Sequence, residues 1–306
     1  MTLVALDQLM DAARRGTYAV GYFESWNLES LLAVADAAEA VRSPVILGFS
    51  GIYLPDPSRR VRDPVGVYAA MGLEVCRRIS VPACLLFNES PYLEEVLQAV
   101  DLGFNLVMFS QEELGPDERI QAVTRVVEKA HSAGAAVEAE LDPLPGVAGE
   151  LGTLPRDLRL SDPDECRDFV ERTNIDALAV NVGQAHLHGR SKVSLDHARL
   201  RDLARAVPVP LVLHGSSSVP HEDLQAAIQC GVRKINVGSV LKQTYFASLR
   251  RACTNTGESY NPYLVLGSGT EGDVLVEGRV ALQQKVEELL RLFGSAGQAD
   301  TAGGAE

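Results

Sequence analysis

The segment from Pro210 to Val237, PLVLHGSSSVPHEDLQAAIQCGVRKINV, indicates the fold by itself. It contains two short aliphatic runs, Pro210–Leu213 and Lys234–Val237, separated by a helical pattern at Glu222–Cys230. Gly231 follows the helical pattern, as glycines commonly do at helix ends. A strand, a helix and a second strand in this order predict two parallel strands joined by a crossover helix.

The same alternation runs through the whole chain and can be counted. Amphipathic patterns predict helices between the strands, for example at Leu28–Val41, Tyr92–Leu102, Arg119–Ser132 and Asp164–Thr173. Eight strands with helices between them predict a (β/α)8 TIM barrel, because eight is the number that closes such a sheet. A doubly wound open sheet is the alternative, but no G-x-G-x-x-G motif follows an early strand to favour it. The predicted strands are Tyr18–Phe23, Pro44–Phe49, Ala83–Phe87, Asn105–Phe109, Ala136–Leu141, Ala177–Val182, Pro210–Leu213 and Lys234–Val237.

The chain is predicted to be one barrel domain over residues 1–293, ending in an amphipathic helix at residues 278–293. We expect this helix to pack on the barrel or on another subunit. Residues 142–160 are rich in proline and glycine and are too long for a plain strand-to-helix connection, which predicts a mobile active-site loop. Residues 294–306 are small and polar, which predicts a disordered tail.

Composition disfavours several classes of partner. The net charge of −13 over 306 residues disfavours nucleic acids and anionic membrane surfaces, because both are polyanions. No apolar stretch approaches the about 18 residues of a transmembrane helix, and the N-terminus lacks the features of a signal peptide. The five cysteines are scattered without a C-x-x-C pair. Reduced thiols and a cytoplasmic location are therefore expected.

The ends of three predicted strands carry residues suited to metal binding. The third strand ends in Asn88 and Glu89, the sixth runs towards His186, and the seventh is followed by His214. Chemistry in a barrel takes place at the C-terminal ends of the strands. Each histidine alone could equally be a loop residue without function. Two histidines and a carboxylate at such positions predict a shared metal site.

Two turns of small residues follow the seventh and eighth strands. Small residues let backbone N–H groups approach an anion, and loops 7 and 8 are the recurrent phosphate site of this fold. These turns therefore predict a small phosphorylated substrate. Their residues are Gly215, Ser216 and Ser217 after the seventh strand, and Asn236, Val237, Gly238 and Ser239 at the end of the eighth.

The fifth strand carries two carboxylates, Glu138 and Glu140, on one face because side chains alternate along a strand. A barrel strand is buried on both sides, so these charges need partners. The sequence leaves two explanations for these carboxylates. They could form a structural ion pair with an arginine or lysine of a neighbouring strand, or they could have a role in the site.

Together these segments resemble the class II, metal-dependent ketose-bisphosphate aldolases, such as the fructose- and tagatose-bisphosphate enzymes. The resemblance runs nearly end to end. It is carried by Val137-Glu-Ala-Glu-Leu141, Gly183-Gln-Ala-His186, Leu211-Val-Leu-His-Gly215 and Lys234-Ile-Asn-Val237.

The resemblance implies a divalent metal, commonly Zn²⁺, that polarises the ketose carbonyl. Its ligands carry over onto Glu89, His186 and His214, with Glu89 in place of a third histidine; His2Glu is a known zinc set. The family's phosphate-binding turns carry over onto the two turns named above.

The chief departure from the family is at Asn88, where the resemblance implies a proton-transferring aspartate. An amide cannot take up or release a proton at working pH. Other departures are Glu24 for an asparagine, Ser110 for an aspartate and Leu187 for a glycine. Because the metal and phosphate positions are spared, altered chemistry is expected, with little cleavage of fructose 1,6-bisphosphate.

The leading interpretation is a metal-dependent lyase that acts on a phosphorylated ketose or a related donor. Asn88 and Glu140 are its candidate catalytic residues, with Glu89 and Glu150 as other possible bases. Isomerase- or epimerase-type enediolate chemistry and a non-catalytic phosphosugar-binding protein are the alternatives. A homodimer or homotetramer is expected.

Overall fold

The eight strands form one closed parallel barrel in chain order, so the predicted fold class is confirmed. The computed structural model describes residues 3–142, 144, 159–185 and 193–302. Each predicted strand overlaps an observed one. The strands are β1 (Val20–Ser25), β2 (Val45–Ser50), β3 (Ala83–Ser90), β4 (Leu106–Phe109), β5 (Ala136–Glu140), β6 (Ala177–Ala179), β7 (Leu211–Leu213) and β8 (Val232–Val237).

Helices surround the barrel, and their ends follow local sequence signals. At the start of α6, the Asp162 side chain accepts hydrogen bonds from the backbone N–H groups of Asp164 and Glu165, and Pro163 occupies the first turn. The helices are α1 (Leu6–Gly16), α2 (Leu28–Ala40), α3 (Val65–Arg78), α4 (Leu93–Asp101), α5 (Pro116–Ser132), α6 (Pro163–Thr173), α7 (His197–Ala206), α8 (His221–Gln229), α9 (Ser239–Thr256), α10 (Pro262–Val265), α11 (Val274–Leu292) and α12 (Ala299–Ala302); a 3-10 turn spans Ser216–Ser218.

The core has two parts, one inside the barrel and one between the barrel and the helices. On β3, Cys84 and Leu86 belong to the interior cluster, whereas Leu85 and Phe87 pack outside. On β5, Val137 and Ala139 pack outside, so Glu138 and Glu140 lie on the interior face. Helix α1, which was not among the predicted helices, adds its apolar side chains to the interior cluster.

The C-terminal tail differs from its prediction as a disordered segment. The buried Ser295 Oγ lies 2.8 Å from Ser43 Oγ, and Gly297 N donates to Val41 O at 2.8 Å. Ala299 and Ala302 of α12 are buried. Small residues let the tail pack closely against the end of α2, which explains its order up to Ala302. Residues 303–306 lie outside the described residues.

The predicted active-site loop falls almost wholly outside the described residues, which omit 143 and 145–158, including Glu150. None of the helices in the described ranges is long and apolar enough to span a membrane.

We expect deletion of residues 295–306 to lower the midpoint of thermal unfolding by at least a few degrees, because it uncovers apolar surface on the barrel. Calorimetric scans of the full chain and the deletion variant measure this change. Deletion of residues 303–306 alone is the control and should leave the midpoint unchanged. An unchanged midpoint after the longer deletion would show that the tail does not contribute to stability.

Candidate active site

The C-terminal ends of β1, β3, β7 and β8 surround a pocket of about 490 Å³. All the predicted phosphate-binding residues line it, as do Asn88, Glu89 and His214. His186 and Leu187 lie outside the described residues, and Glu140 is not among the described residues that line the pocket. The lining consists of Tyr22, Glu24, Asn88, Glu89, Ala185, His214, Gly215, Ser216, Ser217, Asn236, Val237, Gly238 and Ser239.

A buried imidazole between two carboxylates forms the base of this site. His214 follows β7 and is 1% exposed. Its Nδ1 lies 3.1 Å from Glu89 Oε1, and its Nε2 lies 2.7 Å from Glu138 Oε1. The side chain therefore connects the ends of β3 and β7 with the interior face of β5.

The two carboxylates control the protonation of His214. Burial alone would lower its pKa, but the negative charges of Glu89 and Glu138 and their hydrogen bonds outweigh burial and raise the pKa to about 10. Without a metal, the imidazole therefore carries a proton on both nitrogens at neutral pH. A cation bound at Nδ1 would have to replace one of these protons.

Glu89 has an unusual backbone conformation, with a φ of 50°. A non-glycine residue in the left-handed region costs on the order of 1–2 kcal/mol, and such strain clusters at functional sites. The pairing of β3 with β4 also shifts register between Phe87 and Ser90. Strict alternation after the interior residues Leu86 and Asn88 would direct Glu89 outwards. The strained backbone instead accompanies a carboxylate that faces His214.

Glu138 is held by a buried lysine that sequence analysis did not single out. Lys234 Nζ of β8 lies 2.7 Å from Glu138 Oε2, and both side chains are fully buried. Burial would raise the pKa of Glu138, but the charges and hydrogen bonds of Lys234 and His214 hold it below its usual value. Glu138 thus forms an ion pair with Lys234 and also contacts His214 of the candidate site. The lysine comes from β8, across the barrel, and not from a strand that neighbours β5.

Glu140, one of the two predicted catalytic residues, has a different environment. It is 5% exposed and accepts a hydrogen bond from Ser110 Oγ at the end of β4. Ser110 stands where the family resemblance implies an aspartate. A hydroxyl there donates to Glu140, whereas a second carboxylate would repel it.

The two small-residue turns are joined to each other. Ser216 Oγ donates to the Asn236 carbonyl at 2.6 Å, which fixes the turn after β7 against the end of β8. Gly215 has a φ of 63°, and a Cβ atom there would lie 2.8 Å from Ala185 O. Only glycine fits this position without strain. Gly238 then begins the 18-residue helix α9, whose N-terminus favours an anion.

Tyr22, which the sequence analysis also missed, is 2% exposed and lines the pocket. Its hydroxyl has no hydrogen-bond partner within the described ranges. Burial, followed by the charges of Glu24, Glu89 and Glu138, raises its pKa well above the usual value, so the phenol keeps its proton. The available signal was its spacing of two residues from Glu24 on the same strand.

The residues present fit a divalent metal ion. Two ligands of a tetrahedral zinc ion with bonds of about 2.0–2.1 Å lie roughly 3.3 Å apart, close to the 3.1 Å between His214 Nδ1 and Glu89 Oε1. Glu138 at the other nitrogen matches the carboxylate that usually orients a metal-binding histidine. Within the described residues, no group of three or more histidine, cysteine, aspartate or glutamate side chains that could hold a metal is found. The third predicted ligand, His186, is outside them.

The closed barrel, with its pocket at the carboxyl ends of the strands, defines the chain as a TIM-barrel protein with the usual site of that fold. A family model described as fructose-bisphosphate aldolase class-II matches residues 4–298. The chain belongs to the class II fructose-bisphosphate aldolase family.

Named relatives in the same family are similar to this chain over nearly their whole length. The chain is 33% identical to a fructose-bisphosphate aldolase of Geobacillus stearothermophilus, covering 98% of this chain and 99% of the relative. It is 31% identical to one of Thermus caldophilus, covering 95% and 98%. The crystal structure of the YdjI aldolase from Escherichia coli K12 superposes with a TM-score of 0.80 at 28% identity, covering 97% and 99%. The function is accordingly of the aldolase type, and the enzyme is a lyase.

In metal-free protein we expect the His214 imidazole to stay doubly protonated at about pH 8, since its pKa is raised from the usual range of histidine to about 10. This charge stabilises the fold fully below the unfolded value and less as the pH rises through about 10. Nitrogen NMR of 15N-histidine-labelled protein measures the titration, and the signal lost in a His214→Gln variant assigns it. A midpoint below about 7 would contradict the triad of Glu89, His214 and Glu138.

Proposed function

We propose that the protein is a metal-dependent lyase that breaks or forms a carbon–carbon bond in a phosphorylated ketose or a related donor. The observation that carries the proposal is the meeting of His214 and Glu89, 3.1 Å apart, in the same pocket as the two small-residue turns. Glu89, His186 and His214 would hold the metal, for which Zn²⁺ suits the donor set best. The metal would supply Lewis-acid polarisation of the substrate carbonyl.

The chain's own residues bind and orient the substrate. Backbone N–H groups of Gly215, Ser216 and Ser217 and of the turn that begins helix α9 would hold the phosphate. Tyr22, which keeps its proton, offers a hydrogen-bond donor at the pocket wall.

Asn88 has a function that suits its neighbour. Its Nδ2 donates to Glu89 Oε2 at 2.5 Å, while its Oδ1 accepts from Asn236 Nδ2 at 3.3 Å. The amide thus holds one oxygen of Glu89 and leaves Oε1 facing His214. An aspartate at position 88 would instead repel Glu89, because two adjacent carboxylates disfavour each other. Asn88 and Glu89 are therefore compatible neighbours, because the amide donates a hydrogen bond to the carboxylate and does not repel it.

The same pair favours a second candidate function. Asn88 cannot transfer a proton, so it cannot act as the general base for cleavage of a carbon–carbon bond. Isomerisation or epimerisation through an enediolate does not need a base at this position. Assays for aldol cleavage and for interconversion of sugar phosphates distinguish the two.

We further propose a cytoplasmic homodimer or homotetramer. Large apolar side chains stand exposed around α9 and α10, including Phe246 at 64% and Tyr263 at 85% exposed. Exposed apolar groups of this size are typical of subunit contacts.

We expect the wild-type protein to cleave fructose 1,6-bisphosphate very slowly, because lack of a positioned base costs about 10²–10⁴ in rate. Asn88→Asp combined with Glu89→His should raise this rate, measured with a coupled assay for the triose phosphate products. Asn88→Asp alone is the matched control and should give no gain, since the new carboxylate faces Glu89. Wild-type cleavage as fast as that of the Geobacillus stearothermophilus relative would overturn this account of Asn88.

A further inference from the structure

A carboxylate of the chain lies against the turn that we propose as a phosphate site. Glu24, near the end of β1, lines the same pocket as Gly238 and Ser239. A Cβ atom placed on Gly238 would lie 2.6 Å from Glu24 Oε2. The carboxylate oxygen therefore occupies the space directly over the backbone where helix α9 begins.

A lysine one turn into the same helix holds this carboxylate in place. Lys242 Nζ lies 2.5 Å from Glu24 Oε1. The ammonium also stands over two aromatic rings, 4.7 Å from the Tyr53 centroid and 5.7 Å from the Trp26 centroid. A cation on two ring faces with a carboxylate as counter-ion has little freedom to move. The pair lies at the pocket rim, where Lys242 is 40% and Glu24 16% exposed.

The pair has an electrostatic consequence for any anion that enters the turn. The first backbone N–H groups of a helix and a nearby lysine attract negative charge. Here Glu24 already supplies that charge. A phosphate and a carboxylate at the same turn repel each other, and the repulsion is weakened little by solvent in a partly buried pocket.

We propose that Glu24 is a specificity-determining residue whose carboxylate competes with the substrate phosphate for the turn at Gly238, with Lys242 as the counter-ion that both share. This inference rests on the proposed phosphate site. A phosphate binds by displacing Glu24 from Gly238 and pairing with Lys242. Inorganic phosphate binds poorly for this reason. A phosphorylated sugar with a hydroxyl group that donates to the displaced Glu24 recovers part of the loss, so the site selects polyhydroxylated sugar phosphates over simple phosphate.

The test is calorimetric titration of inorganic phosphate into the full-length protein at about pH 8, where phosphate is a dianion. Glu24→Gln removes the charge with little change of shape and should tighten binding by about tenfold or more. Lys242→Met should weaken binding. The double variant should bind more tightly than Lys242→Met alone, because Glu24 no longer competes in it.

Glu288→Gln is the matched control. Glu288 pairs with Lys285 at the same 2.5 Å on helix α11, and it does not line the pocket within the described part of the chain. Its removal should leave the affinity for phosphate unchanged.

Two other outcomes separate the failure of this inference from failure of the proposed function. In the first outcome, Ser217→Asp abolishes phosphate binding, but Glu24→Gln leaves the affinity for phosphate unchanged or lowers it. This result would show that Glu24 does not compete with phosphate, while the phosphate-binding turn would remain supported. If neither wild type nor Glu24→Gln binds phosphate, the phosphate turns of the proposed function are wrong, and the inference fails with them.

Discussion

The site depends on one buried contact, the imidazole of His214 between the carboxylates of Glu89 and Glu138. His214 follows β7, Glu89 and Glu138 belong to β3 and β5, and Lys234 of β8 adds a positive charge behind Glu138. Isolated buried charges are very costly, but each of these has at least one partner of opposite sign. The barrel must close for them to meet, because β5 and β8 are not neighbours in the sheet. The fold and the site therefore form together.

The same contact accounts for the joint presence of Asn88 and Glu89, where the family resemblance implies an aspartate and a histidine. Glu89 faces His214 with a strained backbone, and Asn88 holds its other oxygen. The aspartate that the family resemblance implies at position 88 would break this arrangement. The changes at Ser110 and Glu24 follow the same rule, because each has a partner in this chain: Glu140 for the first and Lys242 for the second. Such partners are what the proposed altered chemistry leads us to expect.

Much of the fold followed from the sequence alone, because strand and helix patterns are local. The eight strands and the two glycine- and serine-rich turns were predicted at the correct places, since periodicity and turn residues determine them. The predicted metal and phosphate residues that the structure describes lie close together because the carboxyl ends of the strands meet at one edge of a barrel.

The partners that decide the electrostatics could not be predicted in this way. Lys234 and Glu138 are almost a hundred positions apart, and Lys242 and Glu24 are farther still. No pattern in the sequence shows which charges face each other across a barrel. In the sequence, Tyr22 resembles any other strand residue. The structure shows that its hydroxyl is buried close to three carboxylates. The tail was predicted to be disordered because small, polar residues resemble a linker; its packing depends on the surface it meets.

The proposed metal site requires that Glu89 and His214 are two ligands of one divalent metal ion. Elemental analysis of protein that is purified without chelators is the direct test of this metal site. We expect near-stoichiometric metal, most suitably zinc, in the wild type, and we expect both Glu89→Ala and His214→Ala to lose it. A wild-type protein without metal would contradict the metal-dependent chemistry altogether. Full retention of metal in Glu89→Ala would show instead that the carboxylate is not a ligand.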